Sequence, residues 1–486
     1  MIRKSCPIRA LSPAGDGWQY WVGYYDLQPW SADGAKLLCH RARFADRFPG
    51  VGETCEVGYL DLTREVAAGG GHPFVRVAET RAWNWQQGAM LRWWDESGEE
   101  TLLFNDREAG RDAELVARVV GLDGVERRRV AGPVLAVAAD GRWGLSLSMG
   151  RVNSVRFEYG YAGEADAFAA EPAPSGDGVF RVDMHTGERR LIVPLSSLRV
   201  TPAERGNADE PFGYVNHLMF NRSGGRFCFV HRYERTDGIV QTRLFTSDMD
   251  GEDVRLLMSG MVSHYDWRDD ETILAWAGFR KLLGDGGSAG GGGGAGLGAR
   301  AMVAARRTLK PIYYALGKPR FLMSRIVKDS YMLIPDVAGA AERGLVREWA
   351  AGELTCDGHC TFNRGGAAPG RFVVTDGYPD RGKQPLFVCD VQAGAGYEVG
   401  RYESPARFDR EVRVDLHPRF SRDGRRVCID SAQENVRRVY EVDVSSITAC
   451  VADGGGEEGG GEGGATESGA VETSQGDEPA ARRAAS

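Results

Sequence analysis

The sequence predicts an all-β fold, a seven-bladed β-propeller, from a short repeat and from the length of the chain. Each repeat unit begins with an aromatic or apolar anchor, which is usually followed by Ser or Asn. A polar pair ending in Gly and a short apolar run come next, and this order is typical of strand, turn and strand. Four copies are clear: Trp30–Gly34, Phe220–Gly224, Phe362–Gly366 and Phe420–Gly424. Weaker copies begin at Trp93, Val137 and Trp267, which makes seven units. Meanders of this size cannot bury a face alone and stack radially as propeller blades.

The length of 486 residues fits this architecture, because propellers run long as one cooperative unit. We therefore expect one domain over residues 1–451, with two segments outside the repeat. Residues 281–328 form a Gly-rich and basic insertion in the fifth blade, and residues 452–486 form a disordered acidic tail. The insertion carries eight basic residues and no acid between residues 299 and 328, so it is either a solvated flexible segment or a contact for an unknown partner.

Composition excludes several classes of partner. The formal net charge is −8, and eight acids against two arginines put −6 of it in the tail, so the body gives no indication of binding nucleic acid or an acidic membrane. No run approaches 18 apolar residues, so we expect no transmembrane segment. The first residues lack the apolar stretch of a secretory signal, and the nine cysteines are an odd number. Reduced thiols and a cytoplasmic location follow as expectations.

Four of the eight histidines occupy one slot of the repeat, three residues before the anchor: His217, His264, His359 and His417. In a propeller this slot lies at the mouth of the central channel, so the four imidazoles should converge there. Such a cluster either ligates a divalent transition metal or supplies a general base. The alternative is that duplication copied a polar residue that holds only ordered water.

Loops that return to the same face carry Arg41, Arg107, Arg151 and Arg232, whose planar guanidiniums suit a carboxylate. The ligand predicted to bind at the mouth of the channel is an acidic oligosaccharide or another small anionic molecule.

The second unit contributes Trp83, Asn84 and Gln87 within five residues. Indole faces stack on sugars and amides bind hydroxyls, although packing of the tryptophans between blades is an equal alternative. Asp26, just before the first anchor, would orient a histidine or bind a hydroxyl, or would simply cap a turn.

The segments Pro29-Trp30-Ser31-Ala32-Asp33-Gly34 and His417-Pro418-Arg419-Phe420-Ser421-Arg422-Asp423-Gly424 resemble the repeats of TolB-like propellers. With the histidines added, the chain resembles the oligogalacturonate lyase group over about residues 20–450. Members of that group are intracellular, hold a manganese-type ion through three His and a Gln, and use a His to remove the proton beside the uronate carboxylate.

That resemblance implies His264, His359 and His417 as metal ligands, with Gln87 as the amide ligand from another blade. It also implies His217 as the base. The chemistry of elimination also needs a positive charge beside the developing enediolate, which a metal or Arg41, Arg107, Arg151 or Arg232 could supply, and we take Arg232 as the candidate. The proton for the leaving oxygen could come from Tyr378.

The leading hypothesis is therefore a metal-dependent lyase that cleaves a uronate-containing sugar by β-elimination, with a hydrolase as a lesser possibility. The alternative is a non-catalytic propeller that serves as a protein- or glycan-binding scaffold.

Overall fold

The structure is a computed structural model that describes residues 1–65, 70–96, 98–108, 114–201, 209–235, 240–279, 329–350, 353–366 and 368–449. The predicted insertion at 281–328 and the predicted tail at 452–486 both lie outside the described residues. Strands dominate the rest, and the predicted all-β class is confirmed. None of the helices in the described ranges is long and apolar enough to cross a membrane.

The strands, in chain order, are short and mostly antiparallel. The first half of the chain contains β1 Ile2–Arg3, β2 Ile8–Ala10, β3 Gln19–Trp21, β4 Lys36–Ala42, β5 Cys55–Asp61, β6 Phe74–Thr80, β7 Arg92–Glu96, β8 Glu99–Arg107, β9 Leu115–Gly121, β10 Glu126–Ala131, β11 Ala136–Val137, β12 Trp143–Ser146, β13 Gly178–Asp183 and β14 Arg189–Pro194. The second half contains β15 Gly213–Phe220, β16 Arg226–Glu234, β17 Val240–Asp248, β18 Arg255–Trp267, β19 Thr272–Gly278, β20 Ser330–Pro335, β21 Arg347–Trp349, β22 Thr361–Phe362, β23 Phe372–Asp376, β24 Lys383–Asp390, β25 Ala395–Glu403, β26 Arg419–Phe420, β27 Arg426–Ser431 and β28 Arg438–Asp443.

Pairing groups these strands into four-stranded antiparallel meanders. Within the described ranges the groups are β3 to β6, β7 to β10, β11 to β14, β15 to β18, β18 to β21, β22 to β25, and β26 to β28 with β2. The long strand β18 belongs to two groups, because its first part pairs with β17 and its second part with β19. Strand β1 adds to the edge of β25 in parallel.

Two short α-helices accompany the strands in the part of the chain that the structure describes, α1 at Met149–Val155 and α2 at Ser445–Thr448. Helix α1 begins at the N-cap Ser148, whose side chain accepts a hydrogen bond from the backbone N–H of Arg151. A single turn of 3-10 helix at Phe157–Tyr159 follows it. These two elements interrupt the third meander between β12 and β13 and form one wall of the clefts described below.

An early and a late strand of the chain pair in the last meander. Residues 8–10 of β2 pair with residues 440–442 of β28, and the backbone N–H of Leu11 donates to the carbonyl of Val439 at 2.8 Å. Leu11 is fully buried in a cluster with Tyr20 and Val439, which joins the first and last meanders. The ring of meanders is therefore closed by apolar packing as well as by strand pairing.

Replacement of Leu11 by Ala should lower the free energy of unfolding by about 2–5 kcal/mol, because the change leaves a cavity at this junction. The matched control is Ile8→Ala in β2, where the side chain is 38% exposed and the expected loss is below about 1 kcal/mol. Urea denaturation followed by tryptophan fluorescence measures both. Equal losses for the two variants would show that the junction does not depend on the packing of Leu11.

Candidate active site

His217 and His264 each lie at a β-bulge in the inner strand of a meander. In β15, Asn216 pairs with Val230 and Met219 with Cys228, so two residues of β15 stand opposite one residue of β16. In β18 the same irregularity falls between Val262 and Tyr265. A bulge turns the side chain out of the regular alternation, and His217 accordingly has a positive φ of 54°. The shared slot in the sequence therefore corresponds to a shared backbone irregularity in these two units.

His359 is held by Asp376 at the end of β23. Its backbone N–H donates to Oδ1 at 2.7 Å, and its Nδ1 lies 3.0 Å from both carboxylate oxygens. Gly358 permits this approach, because a Cβ there would lie only 1.8 Å from the carbonyl oxygen of Asp376. The imidazole Nε2 is buried and has no hydrogen-bond partner.

His417 is fixed in a similar way. Its Nδ1 donates to the carbonyl of Gly23 at 2.8 Å, and its backbone N–H lies 3.2 Å from Asp376 Oδ2. Its Nε2 is also buried without a partner. An imidazole held at Nδ1 with its Nε2 available is the arrangement usual for a metal-ligating histidine.

The aromatic ring of Tyr25 contacts all four imidazoles. The centroid distances are 5.4 Å to His217, 5.9 Å to His264, 5.2 Å to His359 and 6.1 Å to His417. The Tyr25 hydroxyl donates to the carbonyl of Tyr265 at 3.0 Å and accepts from its N–H at 3.1 Å. The structure thus brings the four histidines together around one buried ring.

His359, His417 and Asp415 form a group with the composition of a metal site. Their candidate ligand atoms all lie within 4.8 Å of one another, and the ring of His264 lies 4.0 Å from that of His359. The Asp415 side chain is 2% exposed and accepts a hydrogen bond from Arg413 Nε at 2.8 Å. The sequence analysis did not find Asp415. Its signal was an acid two residues before His417, a spacing that puts both side chains on one face of an extended segment.

Two adjoining clefts open beside His217. The first, the arginine cleft, contains Arg156, Arg232, Ser263, His264 and Tyr378. The second, the Asp26 cleft, is lined by Asp26, Gln87, Met90, Leu135, Leu147, Met149, Val152 and Leu218. Tyr24, Tyr159, Asn216 and His217 line both clefts.

Burial sets the protonation of His217 and its neighbours. Burial, reinforced by His264 and Arg232, lowers the pKa of His217 well below its ordinary value, so the ring is neutral near pH 7. Its Nε2 has no hydrogen-bond partner and lies 3.9 Å from Asp26 Oδ2. Burial raises the pKa of Asp26 to about 6, although Arg92 opposes this shift. Burial, with Asp357 and Asp415 nearby, also raises the pKa of Tyr378, so its hydroxyl stays protonated.

Several residues predicted from the sequence line these clefts. Arg232 and Tyr378 lie in the arginine cleft with His217 and His264, whereas Asp26 and Gln87 lie in the other cleft.

The remaining predicted arginines line neither cleft and have partners within the protein. Arg41 pairs with Glu56 at 2.7 Å, and Arg107 pairs with Glu164 at 2.6 Å. Arg151 is fully buried, and its guanidinium donates to the carbonyls of Gly213, Glu171 and Pro172 and to Asp166. Arg151 therefore stabilises the segment that follows α1.

Trp83 and Asn84 also lie behind the clefts rather than on their surface. The indole Nε1 of Trp83 donates to the carbonyl of Glu53 at 2.9 Å, and the ring packs against Trp21 and Trp85. Asn84 accepts from the backbone N–H groups of Gln86 and Gln87 and donates to the carbonyl of Gly160 at 3.2 Å. Both residues therefore stabilise neighbouring loops by hydrogen bonds to the backbone.

Arg156 and Tyr159 are cleft residues that the sequence analysis missed. The Arg156 guanidinium lies 4.5 Å from the centre of the Tyr159 ring, and the Tyr159 hydroxyl accepts a hydrogen bond from Arg413 at 2.9 Å. Both follow α1, in a connection that carries no copy of the repeat, so register alone could not identify them.

The fold resembles that of solved enzymes. A structure of an oligogalacturonate lyase in complex with manganese aligns over 91% of this chain and 98% of its own, with a TM-score of 0.51 and 14% identity. An oligogalacturonate lyase from Vibrio parahaemolyticus aligns over 90% of this chain and 97% of its own, with a TM-score of 0.50 and 12% identity. No family model matches the chain, and no curated protein matches it. The resemblance expected from the repeat is thus confirmed at the level of the fold.

The raised pKa of Asp26 predicts a dependence of stability on pH. Its pKa is about 6 in the folded protein and 3.8 as the ordinary value, so ionisation becomes unfavourable for folding as the pH rises through this interval. The wild type should therefore lose about 3 kcal/mol relative to Asp26→Asn between about pH 4 and pH 7. Urea denaturation of both proteins across this range, with a chelator present, measures the difference.

The matched control is Asp123→Asn, since that side chain is 54% exposed and its pKa is lowered by Arg127. Relative to the wild type, the free energy of unfolding of Asp123→Asn should not increase as the pH rises. A constant difference between wild type and Asp26→Asn across the range would contradict the assignment.

Proposed function

We propose that this protein is a metal-dependent lyase that cleaves acidic, uronate-containing oligosaccharides by β-elimination. The observation that carries the proposal is the surroundings of His217, a neutral buried imidazole with an unpartnered Nε2. It shares one cleft with Arg156 and Arg232, which suit a carboxylate, and with the protonated Tyr378. The manganese-containing oligogalacturonate lyase with the same fold supports this choice.

The proposed reaction needs a base, an acid and a charge that neutralises the substrate. His217 Nε2 takes the proton from the carbon next to the carboxylate. The electron pair of that C–H bond forms a double bond to the neighbouring carbon, whose bond to the glycosidic oxygen breaks. The leaving oxygen takes a proton from the Tyr378 hydroxyl. Arg232, with Arg156, stabilises the negative charge that develops on the carboxylate oxygens.

The residues present suit a divalent transition metal. His359, His417 and Asp415 would hold it, because two buried Nε2 atoms without partners lie beside a buried carboxylate. His264 is the proposed fourth ligand, while Gln87, the amide expected from the resemblance, lines the Asp26 cleft. When bound, the metal would supply a positive charge that stabilises the ionised carboxylate group of the substrate.

The metal content of the purified protein tests this ligand set. We expect about one equivalent of a divalent transition metal after dialysis, measured by plasma mass spectrometry, and its loss in His359→Ala and in Asp415→Ala. His185→Ala, in which an exposed histidine is removed, should retain the metal. Full metal content in both site variants would contradict the proposed ligands.

The role of His217 is tested by turnover. The metal-loaded protein should produce a conjugated unsaturated product from at least one member of a uronide panel, followed by ultraviolet absorbance. His217→Ala should lower the rate by roughly 10²–10⁴-fold with unchanged metal content, because general base catalysis contributes about that much.

The His185→Ala variant serves again as the control and should keep full activity. No unsaturated product from any uronide with the metal-loaded wild type would overturn the lyase and favour a binding scaffold.

A further inference from the structure

The two clefts that meet at His217 differ in charge. The arginine cleft carries the guanidiniums of Arg156 and Arg232. In the Asp26 cleft, Asp26 is the one lining carboxylate among the described residues, and the imidazole of His217, which lines both clefts, is neutral near pH 7. A substrate that spans both clefts would therefore meet cations on one side of His217 and an acid on the other.

The Asp26 cleft also contains acceptors that lack donors. Asp26 Oδ1 and Asn216 Oδ1 are buried and have no hydrogen-bond partner within the protein. A buried acceptor left unsatisfied costs about 1–3 kcal/mol, so a ligand that brings O–H donors to these atoms would recover that cost. These two oxygens suit the hydroxyl groups of a sugar and repel a carboxylate.

Most of the remaining wall of this cleft is apolar. Six side chains provide it: Met90, Leu135, Leu147, Met149, Val152 and Leu218. A carbon-rich face or a methyl group on the ligand would pack there, whereas a charged group would lose its hydration without compensation.

Arg92 does not change this conclusion. Its guanidinium donates to the carbonyls of Met90 and Leu135, so it lies behind two residues of the wall and is not itself part of the lining. Its charge opposes the raised pKa of Asp26 from behind the wall.

We propose that the substrate joins a uronate to a neutral sugar with an apolar face, such as a 6-deoxyhexose, rather than to a second uronate. The uronate carboxylate occupies the arginine cleft, and the neutral sugar occupies the Asp26 cleft, with the bond to be cleaved beside His217. This assignment rests on the proposed function and narrows its substrate class. Specificity then comes from repulsion by Asp26 as much as from attraction by the arginines.

Binding of disaccharides that cannot be cleaved tests this assignment. The probes are methylene-bridged analogues, in which no oxygen can leave: uronate with 6-deoxyhexose, uronate with uronate, and the latter with its second carboxylate as a methyl ester. Isothermal titration calorimetry on the metal-loaded wild type should give a Kd at least roughly tenfold lower for the mixed disaccharide than for the diuronide. The methyl ester should recover most of that difference.

The Asp26→Asn variant tests the role of the carboxylate. In this variant the Kd values of the mixed disaccharide and the diuronide should differ by less than about threefold. Asp123→Asn, an exposed position paired with Arg127, should leave the wild-type difference in Kd unchanged. The comparison with the methyl ester uses the wild-type protein, so it remains informative even if Asp26→Asn folds poorly. Equal or tighter binding of the diuronide, or no binding of the mixed disaccharide, would overturn the inference.

Turnover of the oxygen-linked disaccharides separates this inference from the proposed function. Preferential binding of the mixed disaccharide without elimination would overturn the lyase and leave the substrate class standing. Faster elimination of the diuronide, together with its tighter binding, would support the lyase and overturn the substrate class.

Discussion

The packing of four imidazoles against the ring of Tyr25 is the constraint on which the site depends. The two hydrogen bonds between the Tyr25 hydroxyl and the backbone of Tyr265 fix that ring. The histidines come from separate meanders, so their mutual positions are set by this contact as well as by their strands. Three of them keep a buried Nε2 without a partner, at a cost of about 1–3 kcal/mol each. These three ring nitrogens therefore lower the stability of the folded protein.

The same slot of the repeat gives histidines of different character. Burial lowers the pKa of His217 and His417 well below the ordinary value. At His359 burial acts in the same direction, but the adjacent Asp376 carboxylate outweighs it and the pKa is raised. At His264 burial prevails although Asp357 lies 2.9 Å from Nδ1, and the pKa is lowered. The direction of each shift thus depends on the local balance of burial and charge, and not on the position in the repeat.

The sequence predicted the parts of the molecule that depend on local chemistry. Turn residues and alternating apolar positions indicated the strands, and the common register of His217 and His359 indicated that they converge. The hydrogen-bond partners of side chains were harder to predict, because many of them lie in loops that do not follow the sequence repeat. Arg151 is an example, because its acceptors are mainly backbone carbonyls of the segment after α1 and of the start of β15. Arg156 and Asp415 were missed for the same reason, as both lie outside the strand-turn-strand repeat.

The pairing of β2 with β28 also bears on the order in which the molecule forms. Leu11 and Val439 are 428 residues apart in the chain, yet their backbones are hydrogen-bonded. During synthesis β2 emerges long before its partner β28, so β2 stays unpaired while the intervening meanders are made. Contacts of such long sequence separation also form slowly, because loop closure precedes any gain from pairing. Closure of the ring should thus be a late event in folding, and the unpaired β2 is where nascent chains would be most prone to aggregate.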